Sequence, residues 1–575
     1  MGKWHHILLN SAHHPDPEVK ESHDAGYVQL FTNYPPEAIL VLNTPDKNEI
    51  HSGITSAAMV HGVDPKSHDI VGVEPPAIWT EEELAVRPFE ILESMISGLR
   101  ESRLNRKKIV VTIVGGTTLH STLLLTLSRA IGARVILNQG DQQNSEYLLQ
   151  PWLSNVQEYT TLKPHEKKVL ATFLKTKSGA DLSQKELNNS DFWQSSVEIS
   201  GGDIDASMAK GLNNSVKSLV NSGLLLQRGN DPVQYRLTAK GWSAALTNTN
   251  LGVDDLQKIK SRSSKITGFR LKRRGEQVPA IDIARTCSSS VEDWLTIMGL
   301  DGKEGHPGVN FNQQNPESVL DEAELSMHQD WLDFLKILQM NEQSWCYLNT
   351  HGNQEEIFVN LCEWIWPKLT VKDPNRFWSI DLTQFTNKQI PFISHLALSL
   401  GIPMTWTLAP RGHTGIKSGV VNSEIPNRRH RIYSVPNIDF TNCLLADSGK
   451  ELGVRTRFLI ALLYKEEDYH QANSQRKIAN PLTTSGTEEI GERSATRKSL
   501  FEFVNNHNSI FVREKLSFKD DANTTRQYQR LVREGMVRII STEERSRKHH
   551  LTLSPLGKLV ARILRDRAMT TEEEG

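Results

Sequence analysis

Short apolar runs rich in β-branched residues alternate, in the first part of the chain, with longer runs of helical spacing. His6 to Leu9, Ile39 to Leu42, Ile70 to Val73, Ile109 to Val114 and Val135 to Leu137 read as strands, and Phe89 to Leu99 and Leu119 to Ala130 as helices. Such alternation predicts a mostly parallel sheet covered by helices on both faces. The pattern then changes. His165 to Leu174, Gln184 to Leu187 and Ile204 to Asn221 have helical spacing, Gly223 is placed to stop the third helix, and Leu224 to Gln227 with Gln234 to Leu237 predict a hairpin.

The same succession returns later, and three anchor pairs mark it. Ala38 to Thr44 is answered by Trp345 to Thr350, which places Asn43 and Asn349 306 positions apart. Ile109 to Thr118, followed by an apolar helix, Gly132 and a strand, is answered by Trp378 to Asn387, the run Ile390 to Leu400, Gly401 and Met404 to Leu408; here the offset is 269. Leu219 to Leu224 with Tyr235 to Gly241 is answered by Leu531 to Met536 with His550 to Gly557, at offsets of 312 and 316. The fall from 306 to 269 implies that the second copy lacks the strand and loop around Asp69 to Pro76. A basic, Ser-rich joint over Lys258 to Arg274 would separate the halves. The first strand of the second copy is expected at Val278 to Ala284, with Arg285, Thr286 and Ser288 to Ser290 in the loop after it.

Length agrees with several domains, since 575 residues exceed what one core supports. The expected boundaries are 1–150, 155–250, 265–445 and 450–570. With 38% hydrophobic residues and no long apolar run, no membrane partner is expected. The N-terminal apolar stretch turns polar at Asn10, too soon for the core of a signal peptide. Cys287, Cys346, Cys362 and Cys443 show no C-x-x-C spacing, which speaks against a zinc ribbon or disulfide framework. A cytoplasmic protein is expected.

The candidate ligand site is Gly115-Gly116-Thr117-Thr118, at the carboxyl edge of the sheet. Glycines there allow close backbone approach, and the N-terminus of the following helix suits an anion. A plain tight turn is the alternative. The arrangement resembles CARF domains (CRISPR-associated Rossmann fold), which carry a glycine- and threonine-rich turn before the helix after a late strand. The resemblance implies that this turn, with Asn10 and Ser11 after the first strand, contacts cyclic oligoadenylate. Departing from that pattern, Thr118 and Leu119 stand where a basic residue often follows. In the second copy Phe385 replaces the second glycine and Thr386, Asn387 and Lys388 follow, so this copy is either a degenerate sensor or the partner in an intrachain sensor pair. A homodimer is left open.

Each helical module ends in Leu-Val-x-x-Gly followed by a hairpin and a Ser or Thr before a helix with glycine, which resembles winged-helix transcription regulators. The fold class expected is therefore α/β Rossmann-like sensors alternating with winged helix-turn-helix domains, a tandem CARF and winged-helix repeat. By that resemblance the third helix enters the major groove of double-stranded DNA and the wing touches the backbone. A formal net charge of −2 gives no global pull toward nucleic acid, so local charge must supply it. Thr525, Arg526, Gln529, Arg530 and Arg533 fall on the second module's helix, and Arg545, Arg547 and Lys548 on its wing. Arg and Gln suit purine edges, and wing cations suit phosphates. Ser207, Lys210, Asn214 and Lys217 hold the equivalent face of the first module. A solvated charged face and a protein-docking surface are the alternatives.

No H-E-x-x-H, P-loop or nucleophile-elbow motif occurs, and Asp381 is not followed by a nearby Glu-x-Lys. No catalytic residue, metal or cofactor is expected. The expectation is a regulator that senses a cyclic oligonucleotide; the rivals are a metal-independent ring nuclease acting on that ligand and a protein-interaction scaffold.

Overall fold

The computed structural model describes residues 2–9, 26–42, 52–64, 70–73, 108–113, 118–139, 146–153, 162–175, 181–188, 206–229, 232–248, 262–270, 291–299, 341–348, 353–369, 376–382, 388–400, 404–408, 431–435, 455–466, 536–540 and 550–554, with single positions besides. The chain divides into one compact unit of Met1–Pro88 with Leu99–Asp439 and another of Phe89–Gly98 with Phe440–Gly575.

The first unit holds two six-stranded sheets. One consists of β1 (Trp4–Leu9), β2 (Pro36–Leu42), β3 (Ile70–Val73), β4 (Ile109–Ile113), β5 (Arg134–Gln139) and β6 (Glu146–Leu149), in the order β3-β2-β1-β4-β5-β6. All neighbours pair parallel except the last, β5 with β6. This is the order of doubly wound Rossmann-type sheets with an antiparallel edge strand. Strands of such a sheet are covered on both faces, and β1 and β4 are: every residue from His5 to Leu9 and from Ile109 to Ile113 is buried, the polar His5 and His6 included. Helix α1 (Ser52–Val60) packs Ile54, Ala57 and Ala58 into a core with Leu8, Phe31, Ile39 and Val41. Helix α2 (Thr118–Ile131) follows β4 and stops at Gly132, whose φ of 71° lets Ala133 N–H reach back to Ser128 O at 2.9 Å. The short antiparallel β6 was not foreseen.

Next comes a helical module: α3 (Pro164–Lys175), β7 (Leu182–Ser183), α4 (Gln184–Asn188), α5 (Ala206–Asn221), β8 (Leu225–Arg228), β9 (Gln234–Leu237) and α6 (Ala239–Thr247). Its three strands form one antiparallel sheet, β7-β9-β8. These helices and the hairpin lie within a residue or two of their expected positions. Gly223, at φ 70°, ends α5 with Leu224 N–H on Leu219 O at 2.8 Å and Gly223 N–H on Val220 O at 3.0 Å. Thr238 caps α6, its Oγ1 accepting from Gly241 N–H at 3.0 Å.

The second sheet comprises β10 (Arg262–Arg270), β11 (Val291–Gly299), β12 (Asn341–Leu348), β13 (Arg376–Asp381), β14 (Met404–Leu408) and β15 (Arg431–Val435), ordered β12-β11-β10-β13-β14-β15. Position for position this is the order of the first sheet, again with only the last pair antiparallel. Three expectations are corrected by it. The central strand is β10, inside the stretch read as a joint, and it begins at Arg262, ahead of the boundary expected at 265; Val278 to Ala284 lies outside the described residues. Secondly, Trp345 to Leu348 belongs to β12, at the sheet edge where the first sheet has β3, whereas Ile39 to Leu42 belongs to β2; the counterpart of β2 is β11. Consequently no strand is missing from the second sheet, and the fall in offset came from pairing non-equivalent strands. The 269-residue offset holds: Val111 pairs with Val135 as Ile380 pairs with Met404. Helices α7 (Gln354–Leu369) and α8 (Ile390–Leu400) accompany this sheet, and Ile402 N–H returns to Ala397 O at 3.0 Å as Ala133 does to Ser128.

In the second unit a helix spans residues 455–466, and β16 (Val537–Ile540) pairs antiparallel with β17 (His550–Leu553). The hairpin repeats β8 and β9 bond for bond. Met536 N–H reaches Leu531 O at 2.9 Å, Ser554 N–H reaches Met536 O at 2.9 Å, and Gly557 N–H reaches Ser554 Oγ at 3.0 Å. Lys558 Nζ lies 2.5 Å from Glu466 Oε1, tying the helix after the hairpin to the helix of residues 455–466.

Candidate functional site

Strands β1 and β4 are adjacent, Leu8 opposite Thr112, and four residues separate the end of β4 from the start of α2. The glycine motif lies in sequence between the end of β4 and the N-terminus of α2, whose first turn carries no acidic residue. Asn10, Ser11, Gly115, Gly116 and Thr117 lie outside the described residues; Thr118 is the first residue of α2. Within the first turn of α2, His120 is buried, and burial pushes its pKa down to about 4, so it is neutral at physiological pH.

At the corresponding edge of the second sheet the groups face inward. Asp381 ends β13 fully buried and accepts from Thr405 Oγ1 at 3.2 Å. Phe385, 269 positions after Gly116 in sequence, is fully buried, with its N–H on Leu382 O at 3.3 Å. Gln389 is buried with Nε2 directed at Leu348 O, 3.5 Å away, and Lys388 is half-buried. Thr386 and Asn387 lie outside the described residues. A phenyl ring thus lies in the interior after β13, at the sequence position that answers Gly116.

Beyond the turns, α2 and α8 pack against each other, and α6 packs on α7 and α8. The contact contains a buried polar network. Thr122 Oγ1 and Ser394 Oγ are 3.0 Å apart. Arg129 of α2 places a terminal guanidinium nitrogen 2.7 Å from His395 Nδ1 and 3.1 Å from Ser399 Oγ, both on α8. Arginine can only donate, so Nδ1 accepts and the ring proton sits on Nε2, which lies 2.8 Å from Ser243 Oγ on α6. Ser243 Oγ in turn donates to Ala239 O at 2.9 Å. Burial first, then the nearby Arg129 charge, hold the His395 pKa well below the ordinary imidazole value. Trp152 seals the network: its ring lies 4.5 Å from Phe358, 6.2 Å from Phe392 and 5.4 Å from His395.

The first helical module is also fixed to the second sheet's helix α7. Arg236 of β9 donates through Nε (2.9 Å) and a terminal nitrogen (2.7 Å) to the two oxygens of Glu363. Trp366 Nε1–H donates to Leu174 O, at the end of α3, at 2.5 Å. Neither contact nor the His395 network was foreseen. The available signal was Arg129, the one charged residue in α2, and His395, the one titratable residue in α8.

On the first module's candidate DNA face, Asn213, Asn214 and Lys217 of α5 are exposed, and Ser207 and Lys210 lie on the same helix with side chains outside the described residues. In the second module Gln529 is exposed. Thr525, Arg526, Arg530, Arg533, Arg545, Arg547 and Lys548 lie outside the described residues. Arg538 and Ile539 on β16 are exposed and were not among the expected contacts. Among the described residues, no group of three or more His, Cys, Asp or Glu side chains could hold a metal ion, and no helix is long and apolar enough to cross a membrane.

No protein-family model and no curated protein matches the chain. Among solved structures it is similar to Can2 from Sulfobacillus thermosulfidooxidans in complex with cyclic tetra-adenylate, at 14% identity and a TM-score of 0.16 over 40% of this chain and 58% of that one. Protein VC1899 from Vibrio cholerae aligns at 10% identity and a TM-score of 0.19, over 64% of this chain and 98% of its own. A type III CRISPR defence DNA nuclease activated by cyclic oligoadenylate aligns at 11% identity and a TM-score of 0.26, covering 70% of this chain and 65% of the nuclease.

Proposed function

We propose that the chain is a ligand-sensing, DNA-binding regulator: a tandem repeat of a CARF-like Rossmann sensor and a winged helix, responding to cyclic oligoadenylate or a related nucleotide. One observation carries the reading. Two sheets of identical order, each with a helix starting beside a carboxyl-edge turn, meet through those two helices within a single chain. A two-sided pocket between the turns of paired sensors suits a cyclic, polyanionic ligand, with the helix N-terminus and backbone N–H groups of the first turn receiving phosphate. The second copy is the weaker half, because the position 269 residues after Gly116 in sequence carries the buried Phe385. The repeated hairpin, with the same bond pattern at Gly241 and Gly557, supports the duplication of the helical modules, and the cations from Arg526 to Lys548 favour the C-terminal one as DNA reader.

The test is incubation of the purified chain with labelled cyclic oligoadenylates, followed by separation of bound, cleaved and free species. Binding without cleavage supports a sensor. Binding with cleavage supports the ring-nuclease reading, and neither supports a scaffold. Gly116→Phe, which imitates the second turn, should abolish binding while shifting Tm by no more than a few degrees; unchanged affinity removes the turn from the site. For DNA, Arg545, Arg547 and Lys548 changed together to Ala should flatten the salt dependence of binding by up to about three units of slope, with Lys217→Ala as the first-module comparison.

A further inference from the structure

We infer that Arg129, His395 and Ser243 form a transmission junction, through which occupancy of the first glycine turn resets the C-terminal end of helix α5 in the first helical module. The inference rests on the reading of that turn as a ligand site. The route is contiguous and short. Helix α2 begins at the turn and carries Arg129 near its other end; Arg129 holds His395 at 2.7 Å, and His395 holds Ser243 of α6 at 2.8 Å. At the start of α6, Thr238 Oγ1 donates to Gly223 O at 2.7 Å, and its N–H donates to Leu224 O at 3.2 Å; these residues terminate α5. Lys240 Nζ reaches Ser222 O at 3.3 Å in the same place.

The junction is buried, with Arg129 at 7%, His395 at 0% and Ser243 at 0% exposure. In such a setting a donor that loses its partner has no water to replace it, so a sliding helix must carry its partner along or break the network outright. The aromatic wall of Trp152, Phe358 and Phe392 leaves the imidazole little room for another rotamer. Helix α8 starts just after the second turn, so both sensor halves converge on His395. These residues are positioning residues; none touches the ligand. The coupling along this route is a free energy between two sites, and it is measurable.

Hydrogen exchange on the full chain, with cyclic tetra-adenylate as probe, measures it. The probe should change exchange in residues 217–223 and 239–247 by about three-fold or more. Ser243→Ala should bind the probe with affinity within two-fold of the parent and keep its Tm within a few degrees, yet lose most of that change. His395→Phe, which keeps a ring and loses both hydrogen bonds, should behave alike; should it fail to fold, Ser243→Ala decides alone. An undiminished response in Ser243→Ala overturns the junction while leaving the ligand site standing. If the probe does not bind, the ligand reading fails and the junction is still decided: without probe, Ser243→Ala should change exchange in the first turn of α2 by about three-fold, whereas Thr172→Ala, a buried hydroxyl on α3 off this route, should not. An effect confined to α6 overturns it.

Discussion

At Gly241 a Cβ would meet Leu224 O at 2.0 Å, and at Gly557 it would meet Met536 O at 1.9 Å. Both obstacles are backbone carbonyls already engaged, the first by Thr238 N–H and the second by Ser554 N–H, so neither can retreat without breaking the bond that closes its hairpin. Gly241→Ala and Gly557→Ala should each cost about 3 kcal/mol in urea unfolding. Gly223→Ala meets open space and only the strain of φ 70°, and should cost about 1 kcal/mol. A loss at Gly241 no larger than at Gly223 would refute the close approach. Histidines give a second residue-scale expectation. Burial pushes His6 and His120 each down to about 4, so between pH 6.5 and 4 the unfolded chain takes up protons that the folded one refuses. Stability is therefore full above pH 6.5 and falls as pH drops, by up to on the order of 3 kcal/mol per histidine. His6→Gln, which cannot titrate and can still donate to Tyr34 O, should remove its share of the slope in unfolding curves taken from pH 7.5 to 5. The glycine motifs were legible because glycine leaves a mark in sequence; the burial of His6 and His120 was not, because it depends on what packs above the strand and helix.

Helices and strands were legible where one rule governs them. Apolar runs marked β1 to β5, and stop glycines marked the ends of α2 and α5. The failures occurred where that rule weakens. β10 has few large apolar residues, with Ile266 buried among Ser, Lys, Thr and Gly neighbours in sequence, so composition described it as a linker although its pairing with both β11 and β13 makes it central. Trp345 to Leu348 and Ile39 to Leu42 are both apolar parallel strands, and strand type alone does not fix position in a sheet. Inter-element contacts leave still less trace. The bidentate pair of Arg236 with Glu363 joins the hairpin to α7 with side chains 25% and 20% exposed, sheltered enough to resist full screening. The hydrogen bond that Arg236 donates to Glu363 also raises the Arg236 pKa. Glu363→Gln keeps the shape and loses the charge, and should cost about 1–2 kcal/mol. Faster amide exchange in β9 should accompany the loss. No change in β9 would mean that Trp366 and Leu174 alone hold the module.

At the scale of the unit that holds both sheets, the question is whether the sensor pair is made within one chain or between two. Duplicated sensors in tandem can provide internally the pseudo-two-fold contact that a single sensor obtains by dimerising. The structure places α2 of the first sheet against α8 of the second in the same chain, with Thr122 Oγ1 and Ser394 Oγ 3.0 Å apart and both residues buried. That separation brings two β-substituents close enough to be bridged by a disulfide after small adjustments. Thr122→Cys with Ser394→Cys, oxidised in dilute solution, should therefore give a cross-linked species that migrates as a single chain without reductant. The native cysteines are poor competitors where described, since Cys346 and Cys362 are fully buried with thiol pKa values raised by burial, which disfavours the reactive thiolate. Either single substitution should fail to cross-link, and the closed loop should raise Tm, because the bridge spans the whole first helical module and much of the second sheet. A disulfide-linked dimer from the double variant, with none from the singles, would show instead that α2 pairs with α8 of another chain. The pair would then be exchanged between copies, and the route from turn to Ser243 would have to cross from one molecule to the next.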